Sequence, residues 1–465
     1  MLEKVKKLFG AQDMTQGKPM NNLLKFAIPL LVGNFAQQLY STVDSIVVGK
    51  YVGDTALSSI GTTMPIINML LVLFMAISTG VGIMVAQYFG AKDTKALSMS
   101  VGNSLTLITF SSLLIMVIGI PFAEPLLRMI NTPVEIFDMA KSYLVIILWG
   151  SLFSGIYNIV SGILRGLGDS IFPLGVLILT SIMNIILDIW FVAGLDMSVF
   201  GAGLATIISQ GISAFVLIWK LYRIKHIVHV NPQTLKPHKD YTFQMLKLGL
   251  PSGITQAIFS LAMVFVQSLT NSMGYLVTAT STAVMRIDGF AMMPNFTFGM
   301  CISTFIGQNI GARRLDRCEE GTKAVLKIAV TTSVVLIIAL MLFGTNLLHM
   351  FTTTDAVLAL GTRQLRILAV GYLAMCFSQI FGGIMRGAGD TMPTMWISLV
   401  TTVAVRTPLA YLIAAMTKSE AWPNGNPDAL YFSLLISWVL GAILNYIWYR
   451  RGNWKSKRLI GSEAE

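Results

Sequence analysis

The stretch RGLGD at residues 165–169 recurs as RGAGD at residues 386–390. A second pair of motifs, QYFGAK at 87–92 and QNIGAR at 308–313, is separated by the same interval along the chain. Two unrelated motifs at one separation are difficult to obtain by chance, so they predict an internal repeat with one structural unit in each half. The glycines of RGxGD permit a tight turn, and its Arg and Asp are expected to cap and brace that turn.

The composition places both units in a membrane. The chain has 465 residues, of which 54% are hydrophobic and 12% charged, whereas a soluble domain has about 25% charged residues. Uncharged runs long enough for a helix of roughly 20 residues alternate with short charged segments. The long uncharged runs are 55–91, 96–123, 142–164, 197–219, 248–285, 328–354, 367–385 and 429–449. Three further apolar segments contain one intramembrane charge each: 26–49, 170–195 and 391–417.

These segments predict an all-α membrane protein with twelve transmembrane helices. The run 248–285 holds helix seven, a short turn near Asn271–Gly274 and the start of helix eight. An even number of helices in each half gives both halves the same orientation, so a pseudo-twofold axis along the membrane normal relates two six-helix lobes. The expected boundaries are a tail at 1–22, an N-lobe at 23–222, a linker at 223–245, a C-lobe at 246–450 and a second tail at 451–465.

The basic residues predict the orientation of the chain. Of the 33 Lys and Arg residues, 25 lie in the tails and in the loops on the same side, and six lie on the opposite side. Because cytoplasmic loops are enriched in Lys and Arg, both termini are expected in the cytoplasm of a multi-pass protein of the bacterial inner membrane. The net charge of +11 is therefore explained by topology, and no nucleic-acid partner is expected.

The sequence contains no catalytic signature. The three cysteines have no spacing typical of a metal or redox site. Phosphate-binding loops, nucleophile elbows and zinc-protease motifs are all absent from the sequence. We therefore expect a protein that is not an enzyme and that holds no structural metal or organic cofactor.

Two acids in the first half are the main candidates for function. Tyr40 and Asp44 are separated by four positions and share one face of helix one, and Asn184 and Asp188 are placed alike on helix five. An ionised Asp inside a bilayer costs at least about 2.5–3.5 kcal/mol, so such a residue is usually functional.

Three more polar residues are expected near these acids: Tyr143 and Asn158 on helix four, and Thr206 on helix six. Carboxylate, amide, hydroxyl and phenol oxygens are hard ligands, which suit a proton or Na+ better than a transition metal. The sequence leaves open the alternative that each acid is separately neutralised by its own structural partner.

The repeat helps to distinguish these interpretations. Pro29 and Pro251 also correspond to each other in the repeat, and they are separated by one residue more than the paired motifs are. Applying this separation pairs Asp44 with Val266 and Asp188 with Ala410. The second half therefore keeps the fold without these acids, which indicates that the acids do not stabilise the fold.

Helix eight carries charges of its own. Arg286 and Asp288 are two positions apart and are expected to face different directions. An internal brace and a role in substrate binding are equally compatible with this pattern. Nearby methionines, including Met292, are candidates for a pliable cavity wall.

With these motifs the chain resembles the multidrug and toxic compound extrusion (MATE) family over its whole length. The Tyr40/Asp44 and Asn184/Asp188 pairs, with Tyr143 and Thr206, are similar to the DinF-like branch. The resemblance implies that these six residues couple transport to a cation, with Na+ possible at Asp44 and Asp188. The NorM branch is implied to use acids in helices seven and ten, and residues 248–272 and 367–385 contain none.

The resemblance implies a secondary transporter that exports organic, cationic or amphipathic compounds in exchange for H+ or Na+. Its expected partners are small organic substrates and the lipid bilayer, and it is expected to be a monomer. Asn158, Arg286, Asp288 and Met292 are candidates for the substrate cavity, and Pro29 for a hinge in helix one. A lipid-linked oligosaccharide flippase of the same superfamily is the alternative, and a channel or receptor is a more distant one.

Overall fold

In the part of the chain that the structure describes, the helices form twelve rods, here numbered α1 to α12. The computed structural model describes residues 10–51, 54–130 and 132–459, and the side chains of residues 40–51, 54 and 57 lie outside that description. In the first half the rods are α1 (Pro19–Tyr51), α2 (Asp54–Gly90), α3 (Thr94–Met129), α4 (Val134–Trp149 and Ser151–Gly166), α5 (Ile171–Asp188 with the π-helix Ile189–Gly194) and α6 (Ser198–Arg223). In the second half they are α7 (Lys239–Ser272), α8 (Tyr275–Gly311), α9 (Leu315–His349), α10 (Asp355–Ala388), α11 (Met392–Ser398, the π-helix Leu399–Arg406 and Thr407–Met416) and α12 (Asp428–Arg451).

These rods agree with the predicted all-α membrane fold. Within the described residues, ten helices are long and apolar enough to cross a bilayer, and the two segments of α4 together make an eleventh. The helix α1, whose side chains are described only in part, completes the twelve. The predicted turn between helices seven and eight is present, because α7 ends at Ser272 and α8 begins at Tyr275.

The rods belong to two compact units whose limits differ from the lobe boundaries expected from the sequence. One unit comprises residues 1–13 and 28–250, and the other comprises 14–27 and 251–465. The linker therefore packs with the first unit, and the start of α1 packs with the second. The divisions fall within α1, next to Pro29, and within α7, at Pro251.

Hydrogen bonds explain why the start of α1 belongs to the second unit. The backbone N–H of Met14 donates to Oε1 of Gln308 at 2.8 Å. The guanidinium of Arg317 donates to the carbonyl oxygens of Met14 at 3.0 Å and Gly17 at 2.9 Å. Gln308 is the first residue of the QNIGAR motif, so this motif anchors the segment that precedes α1.

The linker is fixed to the first unit in a corresponding way. Asn103 of α3 donates from Nδ2 to the carbonyl oxygen of Thr234 at 3.2 Å, and its Oδ1 accepts from the backbone N–H of His238 at 2.6 Å. At the start of α7, a Cβ on Gly249 would collide with the carbonyl oxygen of Ala76. Only glycine permits this close approach of α7 to α2.

The repeated RGxGD motifs have the same backbone structure. Gly168 and Gly389 have left-handed φ angles of 84° and 92°. The N–H of Asp169 donates to the carbonyl of Leu164 at 2.8 Å, and the N–H of Asp390 donates to that of Met385 at 2.9 Å. These are the bonds of a glycine-terminated helix end.

The Asp side chains of the motifs also make the bracing contacts expected of them. Oδ1 of Asp169 accepts from the N–H of Phe172 at 3.0 Å, and Oδ2 lies 3.6 Å from Nζ of Lys220. Oδ2 of Asp390 accepts from Nε1 of Trp448 at 3.4 Å. The two turns are therefore structural elements of the repeat.

The rod α4 differs from the single helix expected over 142–164. It begins at Val134 and bends by 48° between its two segments, at Gly150. A Cβ at Gly150 would lie 2.6 Å from Cγ1 of Ile207. The bend thus occurs where α6 approaches the backbone of α4, and it separates the segment carrying Tyr143 from the one carrying Asn158.

Candidate functional site

A buried polar stripe runs along α5. Thr180, Asn184 and Asp188 are spaced four residues apart and are 5%, 1% and 0% exposed. Four-residue spacing places all three on one face of the helix. The helix changes to π-helical geometry directly after Asp188, and π-helical turns are frequent at functional sites.

The amide side chain of Asn184 forms the middle of this stripe. Among the described residues, neither Oδ1 nor Nδ2 of Asn184 has a hydrogen-bond partner. A buried polar group without a partner costs roughly 1–3 kcal/mol. An ion or a hydrated ion at Asn184 would relieve this cost, because the amide oxygen is a hard ligand.

Tyr143 packs against the segment that follows Asp188 and the segment that precedes Thr206. Tyr143 is 6% exposed and packs with Val192 and Ala202. Val192 is four positions after Asp188, and Ala202 is four positions before Thr206, so Tyr143 lies beside the segments that carry both. The Thr206 hydroxyl donates to the carbonyl of Ala202 at 3.0 Å, which leaves its oxygen lone pairs available to a cation.

Asn158 lies in the second segment of α4 and has local partners. Its Nδ2 donates to the carbonyl of Ser154 at 2.9 Å, and its own carbonyl accepts from Ser78 of α2 at 2.7 Å. The Ser154 hydroxyl in turn donates to Oε1 of Gln210 on α6. Asn158 therefore belongs to a hydrogen-bonded connection of α2, α4 and α6.

The two candidates on α1 are only partly placed. Tyr40 and Asp44 lie within the helix Pro19–Tyr51, but their side chains are outside the described residues. Their approach to Asn184 and Asp188 stays a prediction. Pro29 is inside the same helix, close to the division between the compact units.

The candidates on α8 separate as their spacing predicts. The Asp288 side chain is half-buried and its Oδ1 accepts from the hydroxyl of Tyr372 at 2.8 Å. Arg286 is exposed. Met292 is 8% exposed and packs in an apolar cluster of the second unit, so it is a packing residue.

Sequence reasoning missed several polar partners. Ser213 on α6 donates to the hydroxyl of Thr180 on α5 at 2.9 Å, and Tyr372 on α10 binds Asp288. The four-residue spacing of Thr180 before Asn184 was available as a signal for the first contact. Nothing in the sequence pairs Tyr372 with Asp288, because they are far apart in the chain and on different helices.

The ligand types in these clusters are oxygen donors. In the described part of the chain, no three His, Cys, Asp or Glu side chains converge as a metal site would require. The three cysteines are free and buried. The stripe on α5 offers carboxylate, amide and hydroxyl oxygens, which suit a proton or a small hard cation.

Comparisons with known proteins agree with the repeat. The family model MatE matches twice, at residues 29–190 and 251–412. The matches begin at Pro29 and Pro251, and their ends have the same separation as their beginnings. The family alignment therefore relates the two halves as the sequence repeat does.

The chain is similar to bacterial proteins named for drug resistance. It is 28% identical over 450 residues to "Probable multidrug resistance protein YpnP" of Bacillus subtilis, which covers 97% of this chain and 99% of that protein. It is 28% identical to "Probable multidrug resistance protein YoeA" of the same organism, over 92% of this chain and 93% of that one. It is 24% identical to "Probable multidrug resistance protein NorM" of Thermotoga maritima, over 95% and 94%.

Solved structures share the fold. One described as an outward-facing conformation of a multidrug resistance MATE family transporter superposes with a TM-score of 0.88 at 23% identity, over 95% of this chain and 97% of that chain. A transporter of the MOP superfamily from Pyrococcus furiosus superposes with a TM-score of 0.87, at the same identity and coverage. The two-lobe fold of twelve helices predicted from the sequence is confirmed.

Proposed function

This chain belongs to the MatE family of multidrug and toxic compound extrusion transporters, and from that premise we propose that it exports organic cations and amphipathic compounds in exchange for H+ or Na+. It is a transporter and not an enzyme. The observation that carries the proposed ion coupling is the buried stripe of Asn184 and Asp188, with Tyr143 packed against the segments adjacent to Asp188 and Thr206. We further propose that it works as a monomer by alternating access.

The proposed ion site joins α1 and α5 of the first half. Asp44 and Asp188 supply the charge, and Tyr40, Tyr143, Asn184 and Thr206 supply neutral oxygens. Among the described residues the Asn184 amide has no protein partner, which supports this assignment, because a site built for a ligand leaves some of its polar groups without protein partners. The paired Tyr-x-x-x-Asp and Asn-x-x-x-Asp spacings support placement in the DinF-like branch.

Occupancy of this site is proposed to select between conformations. An ion or proton neutralises the carboxylates and lets the surrounding helices repack, whereas an empty site leaves a charge in a low-dielectric region. One proton entering across one pH unit supplies about 1.4 kcal/mol, and the membrane potential supplies about 2.3 kcal/mol per charge per 100 mV. Together these terms support a substrate gradient of roughly a few hundred-fold for one ion per cycle.

Substrate contacts are proposed at Asn158 and at Arg286, whose side chains are half-buried and exposed, respectively. Asp288 is partly accessible but already accepts from Tyr372, and Met292 contributes packing. The flippase alternative is less favoured, since the relatives described above are named as multidrug resistance proteins.

Reconstitution into proteoliposomes tests the proposed function. A fluorescent organic cation is present at equal concentration inside and outside the vesicles, and a pH gradient and a Na+ gradient are imposed separately. We expect efflux against the substrate gradient with at least one of them, and none when an ionophore dissipates it. Gradient-independent leakage, swelling typical of a channel, or movement of a lipid-linked oligosaccharide without drug efflux would contradict the proposal.

The proposed topology places both termini in the cytoplasm of a bacterial inner membrane. The native cysteines are buried, so introduced cysteines at exposed positions should be labelled selectively. Lys95→Cys and Gln233→Cys, both exposed, should react with an impermeant maleimide only in inside-out vesicles. Ser419→Cys, also exposed, should react only in whole cells. Labelling of all three from one side contradicts the two-lobe topology.

A further inference from the structure

The second compact unit contains a polar cluster that the ion coupling proposed above does not use. Asp288 of α8 accepts from Tyr372 of α10 at 2.8 Å. Tyr431 of α12 donates to Ser281, which is two turns before Asp288 on α8, at 3.1 Å. Tyr372 and Tyr431 are 0% and 6% exposed. The cluster therefore joins three helices inside the unit.

Arg406 supplies the positive charge of this cluster. It is 9% exposed and ends the π-helix of α11. Ala410, one turn after Arg406, and Ile287, next to Asp288 in the chain, belong to one buried cluster with Tyr372 and Tyr431, so Arg406 and Asp288 flank the same cluster. Among the residues that the structure describes, Nε of Arg406 has no hydrogen-bond partner. A buried arginine and a half-buried carboxylate thus border the same cluster of the second unit.

The internal repeat identifies which residue of the first half corresponds to Arg406. The interval between the two RGxGD motifs is one position shorter than the interval between the ends of the two family matches, residues 190 and 412. The second half therefore gains one residue between Asp390 and Leu412, and the π-helix Leu399–Arg406 lies in that interval. A π-helix holds an additional residue in each turn, so this segment accommodates the insertion. Counted with this insertion, Arg406, the last residue of the π-helix, occupies the position that Asn184 occupies in α5.

The neighbouring repeat positions are apolar. Val266 and Ala410, the counterparts of Asp44 and Asp188, are 8% and 0% exposed and lie in one hydrophobic cluster with Tyr372 and Tyr431. The counterpart of the proposed ion site thus contains no carboxylate from α7 or α11. Its negative charge comes instead from α8, as Asp288, and its positive charge from Arg406.

We propose that the guanidinium of Arg406 is a tethered cation, which occupies in the second unit the place that a mobile cation takes at Asn184 and Asp188. Asp288 is its counter-charge, and the Tyr372 hydroxyl positions that carboxylate. The second unit is therefore closed to coupling ions. The inference rests on the proposed coupling site for its biological role, but its physical content, a latent cation site at Asp288, is testable by itself.

Removing the tethered charge should expose this latent site. Arg406→Gln leaves Asp288 with a phenolic hydroxyl and no cation, which is an arrangement of hard oxygen ligands that favours Na+. Trp438 is a local reporter, because its ring centroid lies 5.9 Å from that of Tyr372. We therefore expect purified Arg406→Gln in detergent to show a saturable change in tryptophan fluorescence on titration with NaCl, with choline chloride holding the ionic strength constant.

Matched variants show which residues produce the fluorescence response to Na+. Arg406→Lys keeps a tethered cation and should show no Na+ response, and neither should Asp288→Asn/Arg406→Gln. Adding Trp438→Phe to Arg406→Gln should remove the response, whereas adding Asp188→Asn should leave it. An absent response in folded Arg406→Gln overturns the proposal, and so does a Trp438-dependent response in the native protein.

A stability measurement covers the case in which Arg406→Gln is too unstable to titrate. Asp288→Asn should lower Tm because it leaves Arg406 without its counter-charge, and the double variant should recover part of that loss. If the decrease in Tm of the double variant equals the sum of the decreases of the two single variants, the proposed pairing of Arg406 with Asp288 is wrong. These experiments use no substrate, so a failure of the proposed export function would leave their outcome unchanged.

Discussion

The two halves of the chain use one helical framework to hold different chemistry at equivalent positions. On α5, Asn184 and Asp188 form a buried stripe with an amide that lacks partners among the described residues. On α11, the equivalent positions are Arg406 and Ala410, so neither position carries a carboxylate. Since both halves keep the RGxGD turns and the anchored segments before α1 and α7, the residues that differ at these equivalent positions, such as Asp188 and Arg406, are not what builds the shared fold. They are the part of the repeat that is free to specialise.

The largest effect is expected at Asp44, the acid proposed to complete the first site. Asp44→Asn keeps the size of the side chain and fixes the site in its neutral state, so the protein should fold and bind substrate but lose accumulation against a gradient. Substrate binding is measured by fluorescence anisotropy and transport by gradient-driven efflux. Uphill efflux at the native rate would show that Asp44 is only a neutralised buried acid.

The prolines at the unit boundaries offer a second, smaller contrast. Pro29 and Pro251 each remove one helical hydrogen bond, but only α1 carries an acid beyond its proline. Pro29→Ala should reduce turnover by about tenfold, which corresponds to about 1.4 kcal/mol in the barrier, with normal insertion and Tm.

Pro251→Ala is the matched control for this hinge, and it should reduce turnover less. Both variants are compared by initial rates of efflux normalised to the amount of reconstituted protein. Equal effects of the two substitutions would mean that bending of α1 has no special connection to the proposed ion site.

The smallest effect is expected at the apolar counterparts of the acids. Val266→Ala and Ala410→Ser alter buried packing but remove no group from the proposed coupling site. The apparent affinity for the coupling ion should change by less than about twofold, or about 0.4 kcal/mol. A larger shift in the ion dependence of efflux would indicate that the second unit takes part in ion binding.

Much of the framework could be predicted from the sequence, because bilayer physics restricts the choices. Uncharged runs of sufficient length have to be helices in a membrane, and the repeated glycine turns fixed the relation between the halves. The face shared by Asn184 and Asp188 also followed from spacing alone, and so did the divergence of Arg286 and Asp288.

Other features could not be predicted because they depend on contacts between distant segments. The bend at Gly150 depends on the approach of Ile207, and the hydrogen bond from Tyr372 to Asp288 joins two helices. The anchoring of Met14 by Gln308 and Arg317 moves the start of α1 into the second compact unit. The hydrophobic pattern, which is local, contains no information about such pairings.

The central claim is that the driving ion binds in the first half of the chain, and ion flux through Asp188→Asn tests it most directly. Proteoliposomes carrying a luminal pH indicator and a Na+ indicator report ion exchange while substrate efflux is followed by fluorescence. Native protein and Ala410→Ser should show H+ or Na+ movement in proportion to substrate efflux, whereas Asp188→Asn should show none. Coupled ion movement by Asp188→Asn at the native ratio would contradict the account.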